Sequence, residues 1–154
     1  MGISDKQRAY TLSDSSVRIA AMVCYESIYG EHVNGFVNDG AELLFILTND
    51  GWWRDTPGHR QHNAYAKLRA IETRRSIGRS ANTGISCFIN QKGDMLKQTK
   101  YWQPTAIDNI LNTNNKITFY VKYGDYIGRT AYWVSGLLLL ISFVSGLMER
   151  FKRK

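Results

Sequence analysis

The sequence predicts an α/β protein with a mixed sheet, followed by one apolar helix. Two nearly unbroken apolar runs, Val17 to Cys24 (VRIAAMVC) and Ala41 to Thr48 (AELLFILT), are short and rich in β-branched or small residues. That pattern suits strands buried on both faces of a sheet. Between and after them come segments of helical character, and the strand-then-helix alternation is the signature of an α/β layer. The third observation is an uncharged stretch from Thr130 to Met148 that ends against a basic tail.

Taken in order, residues 1–16 show no clear period and read as an irregular leading segment without the apolar core of a signal peptide. Ser27 to Asn38 places Ile28, Val33, Phe36 and Val37 at weak helical spacing, and Asn38-Asp39-Gly40 ends it as a turn. After Asn49-Asp50-Gly51, Thr56-Pro57 opens a helix running to about Ser76, with Thr as N-cap and Pro at the first helical position. Ala64, Leu68, Ile71 and Arg75 fall on one stripe of that helix. Gly84 to Asn90 and Asp94 to Tyr101 flank Gln91-Lys92-Gly93 as a hairpin. Lys116 to Lys122 (KITFYVK) alternates and reads as a last strand. The domains are expected as 17–128 for the α/β part, 129–149 for the apolar helix and 150–154 for the tail. This is too few strands for a complete large α/β domain.

The 154 residues are 44% hydrophobic and 21% charged, which excludes a disordered chain, and two cysteines are too few for a disulfide framework. A net charge of +7 invites a nucleic-acid reading, but the charges are concentrated. Four of the last five residues are basic, directly beyond the uncharged stretch. As a helix that stretch spans roughly 28 Å, close to the hydrocarbon thickness of a bilayer. Tyr132 and Trp133 stand at one end, where an aromatic belt would sit, and the basic cluster at the other gives orientation. A membrane is therefore expected as a partner and nucleic acid is not.

Cys24 stands at the end of a buried strand, before Tyr25-Glu26 and a helical segment. A strand-to-helix turn exposes a nucleophile, and the N–H groups that follow favour a thiolate or an oxyanion. Position alone leaves a small core residue equally open. Cys87, within ISCFI, has no neighbouring acid or base and reads as buried filler. His59 and His62 lie near the start of a helix without a third ligand, so they read as a polar helix face, and no metal is expected. Arg69 and Glu72 form an i,i+3 pair, Arg74, Arg75 and Arg79 read as a solvated cluster, and Trp52 and Trp53 suit either core or substrate contacts.

These residues carry a family resemblance. The run VRIAAMVCYE resembles the nucleophile strand of the nitrilase superfamily. With CYE, the segments TNDGWW (Thr48 to Trp53), Gln61-His62 running into LRAIE (Leu68 to Glu72), RSANTG (Arg79 to Gly84) and the terminal apolar helix resemble the apolipoprotein N-acyltransferase family, in order and spacing, from Val17 to Lys154. The resemblance implies the C-terminal part of a nitrilase-like α-β-β-α sandwich followed by one transmembrane helix. It implies catalytic roles for Cys24 as acyl carrier, Tyr25 as an oxyanion N–H donor and Glu26 as organiser of the pocket. It also implies substrate-binding roles for Asn49 and Trp52, the latter at a lipid-facing entrance. A phospholipid would be the acyl donor and an apolipoprotein's S-diacylglyceryl cysteine the acceptor, with no cofactor. The setting would be the bacterial inner membrane, with the α/β part periplasmic and the C-terminus cytoplasmic. The superfamily's Glu base and Lys precede its nucleophile. Lys6, Glu26 and Glu31 do not match them, which makes an N-terminal half of the same enzyme an expected partner. A nitrilase-like amidase and a non-catalytic membrane-anchored remnant are the competing readings.

Overall fold

The computed structural model describes residues 6–152, which form two compact units divided between Gly124 and Asp125. The first unit is a six-stranded mixed sheet in the order β1 (Tyr10–Thr11), β2 (Arg18–Val23), β3 (Leu43–Thr48), β4 (Ser76–Ala81), β5 (Cys87–Ile89) and β6 (Met95–Gln98). β2, β3 and β4 run parallel, and the flanking pairs are antiparallel. The strand β1 lies within the segment read as irregular. At two exposed residues it is too short to leave a periodic signal.

The helices α1 (Gly30–Asn38) and α2 (Pro57–Thr73) supply the crossovers that parallel strands require. Thr56 caps α2 by accepting from the Gly58 N–H, and the helix stops at Arg74, whose φ of 52° is left-handed. Ala20, Met22, Leu44, Ile46, Ile77, Cys87 and Ile89 pack with Val33, Phe36, Val37, Ala66 and Ala70 as the core.

The sheet is covered on one face only. The alternate residues of β2 and β3 do not share this burial: Val23 and Leu47, direct partners in the parallel register, are 62% and 51% exposed. The apolar runs were expected to be buried on both faces, yet no element of the described residues covers this side fully. Phe45 lies over Gly78, and Phe88, Ala106 and Ile107 border a shallow hollow of about 300 Å³ on the open face. This is one helix layer and one sheet layer of the four-layer sandwich that the resemblance implies.

A further expectation is corrected. Lys116 to Lys122 is not a strand: residues 99–118 are irregular and lead into α3 (Phe119–Tyr123). The segment runs along the helix layer, away from the edges of the sheet. Its carbonyls are met by side chains, Lys116 O by Arg75 and Tyr120 O by Asn34, while Thr118 Oγ1 caps α3 and donates to Glu72 O. The stripe of α2 formed by Ala64, Leu68 and Ile71 is exposed. Its buried stripe is His59, His62, Asn63, Ala66, Arg69, Ala70 and Thr73. Some of these polar residues meet partners there: His62 pairs with Asp50, Arg69 with Glu72, and Thr73 Oγ1 donates to Arg69 O.

The second unit contains α4 (Tyr126–Lys152), which is long and apolar enough to cross a membrane. None of its most apolar window is buried, and Leu137 to Ile141 are all more than half exposed. The core helix of a water-soluble domain would not present its aliphatic residues in this way.

Candidate active site

Cys24 follows β2 directly and opens a 3₁₀ turn, Cys24–Ile28. Its φ of 50° is left-handed, a conformation that residues with a Cβ rarely adopt. Such a sharp turn at the C-terminal end of a parallel strand lifts the side chain out of the sheet, and α/β folds place their sites at these strand ends. The Cys24 side chain is neither fully buried nor fully exposed. Glu26 secures the turn by accepting the Val23 N–H at 2.7 Å, and Ser27 Oγ donates to Cys24 O at 2.8 Å. Tyr25 projects to a half-exposed position and stacks on His62, with ring centroids 5.5 Å apart.

The neighbouring strand end supplies the rest. The hydroxyl of Thr48, the last residue of β3, has one proton for two acceptors, Asp50 Oδ1 at 3.0 Å and Cys24 Sγ at 3.3 Å. Asn49 is exposed. Its Oδ1 accepts from the Gly51 N–H and from Thr83 Oγ1, both at 3.1 Å, so its carbonyl end holds the loop in shape. Trp52 is 83% exposed, whereas Trp53 turns inward to 5.7 Å from Tyr25 and 5.4 Å from His62. A hollow of about 150 Å³ opens between Tyr25, Trp53, Gln61, His62 and Tyr65. The structure thus brings Cys24, Tyr25 and Glu26 together on one turn, with Asn49 and Trp52 on the adjoining loop.

Behind this turn is a buried polar cluster. Asp50, fully buried, accepts from Arg79 Nη2 at 2.7 Å and sits 3.0 Å from His62 Nδ1. Arg79 also donates to Ile85 O. Burial, the largest influence on Asp50, pushes its carboxyl up. Hydrogen bonds from His62, Arg79 and Thr48, with the charge of Arg79, outweigh it and hold the pKa at about 2. A Cβ on Gly84 would run into this carboxylate, so only glycine lets the chain close over it. Arg75 and Arg79, expected on a solvated face, are both buried. Arg75 is tied to carbonyl oxygens of Ala41, Thr73 and Lys116. His59 and His62 are likewise buried, against the expected polar helix face, and His59 stacks on Tyr101 at 4.4 Å. Arg69 and Glu72 form the expected pair at 3.1 Å.

Asp50, His62 and Arg79 were not marked as members of a site by their sequence. Their signal is nonetheless present: Arg79 is a charged residue within the strand SIGRSA, and an arginine at a buried strand position requires a carboxylate. Cys87 lies on the neighbouring strand, fully buried. It has a polar neighbour the sequence did not reveal, donating Sγ–H to Asn63 Oδ1 at 3.3 Å. Burial pushes its thiol up to about 11, against a smaller opposing effect of Arg79.

A partly buried cysteine on a left-handed turn at a parallel strand end, backed by a buried charged cluster, is an arrangement suited to a cysteine nucleophile in an α/β protein. The carbon-nitrogen hydrolase family model matches residues 4–112, and the chain belongs to that family. The chain is 38% identical over 128 residues to the apolipoprotein N-acyltransferase of Chlorobaculum tepidum, aligning 83% of this chain with 24% of that protein. It is 36% identical over 131 residues to the apolipoprotein N-acyltransferase of Rhizobium meliloti, again with 24% of that protein covered. The chain therefore spans about a quarter of the length of these relatives. Among solved structures, the carbon-nitrogen hydrolase of Helicobacter pylori G27 superposes with a TM-score of 0.59 at 13% identity, over 68% of this chain and 43% of the other. An amidase from Nesterenkonia sp. AN1, with acrylamide added at its active-site cysteine, gives a TM-score of 0.51 at 19% identity, over 64% and 41%. These two likenesses establish a shared nitrilase-type fold.

Proposed function

We propose that this chain is the nucleophile-bearing segment of a membrane N-acyltransferase that acylates lipoproteins. The observation that carries the reading is Cys24 at φ 50° at the end of β2, with the Thr48 hydroxyl beside its sulfur. Similarity to apolipoprotein N-acyltransferases over 83% of the chain supports the substrate class.

The chemistry has two halves. Cys24 Sγ attacks the acyl carbonyl of a phospholipid. A C–S bond forms, the ester C–O bond breaks, and the departing lysophospholipid alkoxide takes a proton. The free amine of a lipoprotein's S-diacylglyceryl cysteine then attacks the thioester. The amide bond forms, the C–S bond breaks, and the thiol regains its proton while the amine loses one. A thioester suits this sequence because it is activated towards amines. The Tyr25 N–H serves the oxyanion, Glu26 holds the turn, and Asn49 shapes the loop from which Trp52 meets lipid. The Glu base and the Lys of the superfamily come from outside this chain's own segment. Alpha-4 spans the inner membrane with Arg150 to Lys154 cytoplasmic, leaving the α/β unit periplasmic.

An amidase acting on small soluble substrates shares the cysteine but gives α4 no purpose. The test is transfer in membranes where the chain is co-expressed with an upstream segment supplying the Glu and Lys. The lipoprotein acceptor should gain one acyl mass with the native chain and none with Cys24→Ser. Acylation that persists with Cys24→Ser would overturn the reading.

A further inference from the structure

The buried cluster behind Cys24 is the feature the proposed chemistry leaves unused. Asp50 touches the nucleophile indirectly along two separate lines. In the first, the Thr48 hydroxyl lies between Asp50 Oδ1, at 3.0 Å, and Cys24 Sγ, at 3.3 Å. In the second, His62 lies between Asp50 Oδ1, 3.0 Å from its Nδ1, and Cys24 O, 3.3 Å from its Nε2. A carboxylate only accepts, so Nδ1 carries a proton towards Asp50, and the opposite edge of the ring faces the Cys24 carbonyl. Ser27 Oγ, 3.5 Å from Nε2, reaches the same carbonyl.

These lines end on the two features that make Cys24 unusual: its sulfur and its left-handed backbone. A strained φ persists only where surrounding structure over-determines it. His62 supplies that restraint on Cys24 O and also seats the Tyr25 ring, 26° from parallel with its own. His62 is held in place because Asp50 fixes its Nδ1 side and Trp53 lies across it. We propose that Asp50 is the positioning residue of this site. It anchors Thr48 Oγ1 beside the Cys24 sulfur and, through His62, holds the backbone turn that presents it. The proposal rests on reading Cys24 as the nucleophile.

The test uses the whole chain in detergent, labelled with iodoacetamide at neutral pH and resolved by peptide mass spectrometry. Thr48→Val removes the donor to the sulfur with little change of shape. Losing a hydrogen bond to the thiolate lowers its population, and the compensating gain in intrinsic nucleophilicity is only partial. Alkylation of Cys24 should slow about threefold or more. Thr48→Ser should restore the native rate, and Asp50→Asn, whose amide competes less for the Thr48 proton, is read on the turn as His62→Phe is. For the second line, His62→Phe keeps a ring beneath Tyr25 but loses both hydrogen bonds. Amide exchange of the Cys24–Ile28 turn should quicken about tenfold or more while Leu43–Thr48 stays protected. Cys87 must remain unlabelled in each variant as evidence of a closed core. If His62→Phe or Asp50→Asn exposes Cys87, the Thr48 pair decides alone. Native alkylation in Thr48→Val, or equal slowing in Thr48→Ser, overturns the proposal. Transfer that survives Cys24→Ser would instead sink the nucleophile reading, whatever the alkylation rates.

Discussion

Asp50 and His62, twelve residues apart, meet at 3.0 Å between carboxylate and imidazole with both side chains buried. One closes the end of β3 and the other sits on the second turn of α2. Their pairing ties the strand end to the helix directly beneath the Cys24 turn. The stability of that junction is therefore sensitive to charge.

Acid should weaken the fold through Asp50. Its carboxyl is lowered from 3.8 to about 2 in the folded state, so ionisation favours folding above the unfolded value. The contribution is on the order of 2 kcal/mol at neutral pH, present above about pH 4 and lost as pH falls towards 2. Asp50→Asn should remove this pH dependence. It should also cost about 3–5 kcal/mol at pH 7, because Arg79 is left buried without its partner. Denaturant melts of both proteins between pH 2 and 7 measure this. Parallel curves for the two would contradict it.

The two cysteines should separate cleanly. With its thiol pushed up to about 11 and no exposed surface, Cys87 should resist alkylation at pH 8 until the chain is unfolded. Cys87→Ser should cost only about 1 kcal/mol, since the new hydroxyl inherits Asn63 Oδ1 as acceptor. A larger loss in thermal denaturation would mean that the hydroxyl does not reach Asn63.

Much of this layout was legible in advance. β2, β3 and α2 were visible because each has a strong local signal, apolar runs for the strands and Thr56-Pro57 for the helix. The inward face of α2 was not. Periodicity weighs apolar residues, whereas this face buries His59 against Tyr101 and His62 against the Cys24 turn, both distant in sequence, together with the Arg69–Glu72 pair. Lys116 to Lys122 alternates like a strand, but alternation cannot tell whether a sheet edge is within reach. Cys24, Tyr25 and Glu26 could be named because they are consecutive. The cluster behind them is drawn from β3, α2 and β4, and only the fold assembles it.

The open face of the sheet should make the chain self-associate. Val23, Phe45 and Leu47 present apolar surface, and such faces seek cover. Leu47→Lys places a charge at an exposed position and should reduce association without lowering the melting temperature. Light scattering of the detergent-solubilised chain checks this, and a strictly monodisperse native chain would contradict it.

Membrane orientation is separately testable. Arg150, Lys152, Arg153 and Lys154 outweigh Lys122 and Arg129 at the other end of the apolar stretch, so the proposal expects the C-terminus in the cytoplasm. A reporter that functions only in the cytoplasm should be active when fused after Lys154. A fusion active only on the far side of the membrane would reverse the assignment.

The chain by itself should show no appreciable turnover. General-base assistance is typically worth about 10² to 10⁴ in rate, and the proposed mechanism takes that base from an upstream segment. Robust acyl transfer by the purified chain alone would contradict the division of labour proposed above.

The central claim, that Cys24 carries the acyl group, is tested most directly by trapping the thioester. The chain, supplied with the upstream segment, is incubated with phospholipid and no acceptor, then digested and analysed by mass spectrometry. One acyl mass is expected on the peptide containing Cys24, absent in Cys24→Ser and retained in Cys87→Ser. Acyl mass on the Cys87 peptide, or label that survives Cys24→Ser, would contradict the account.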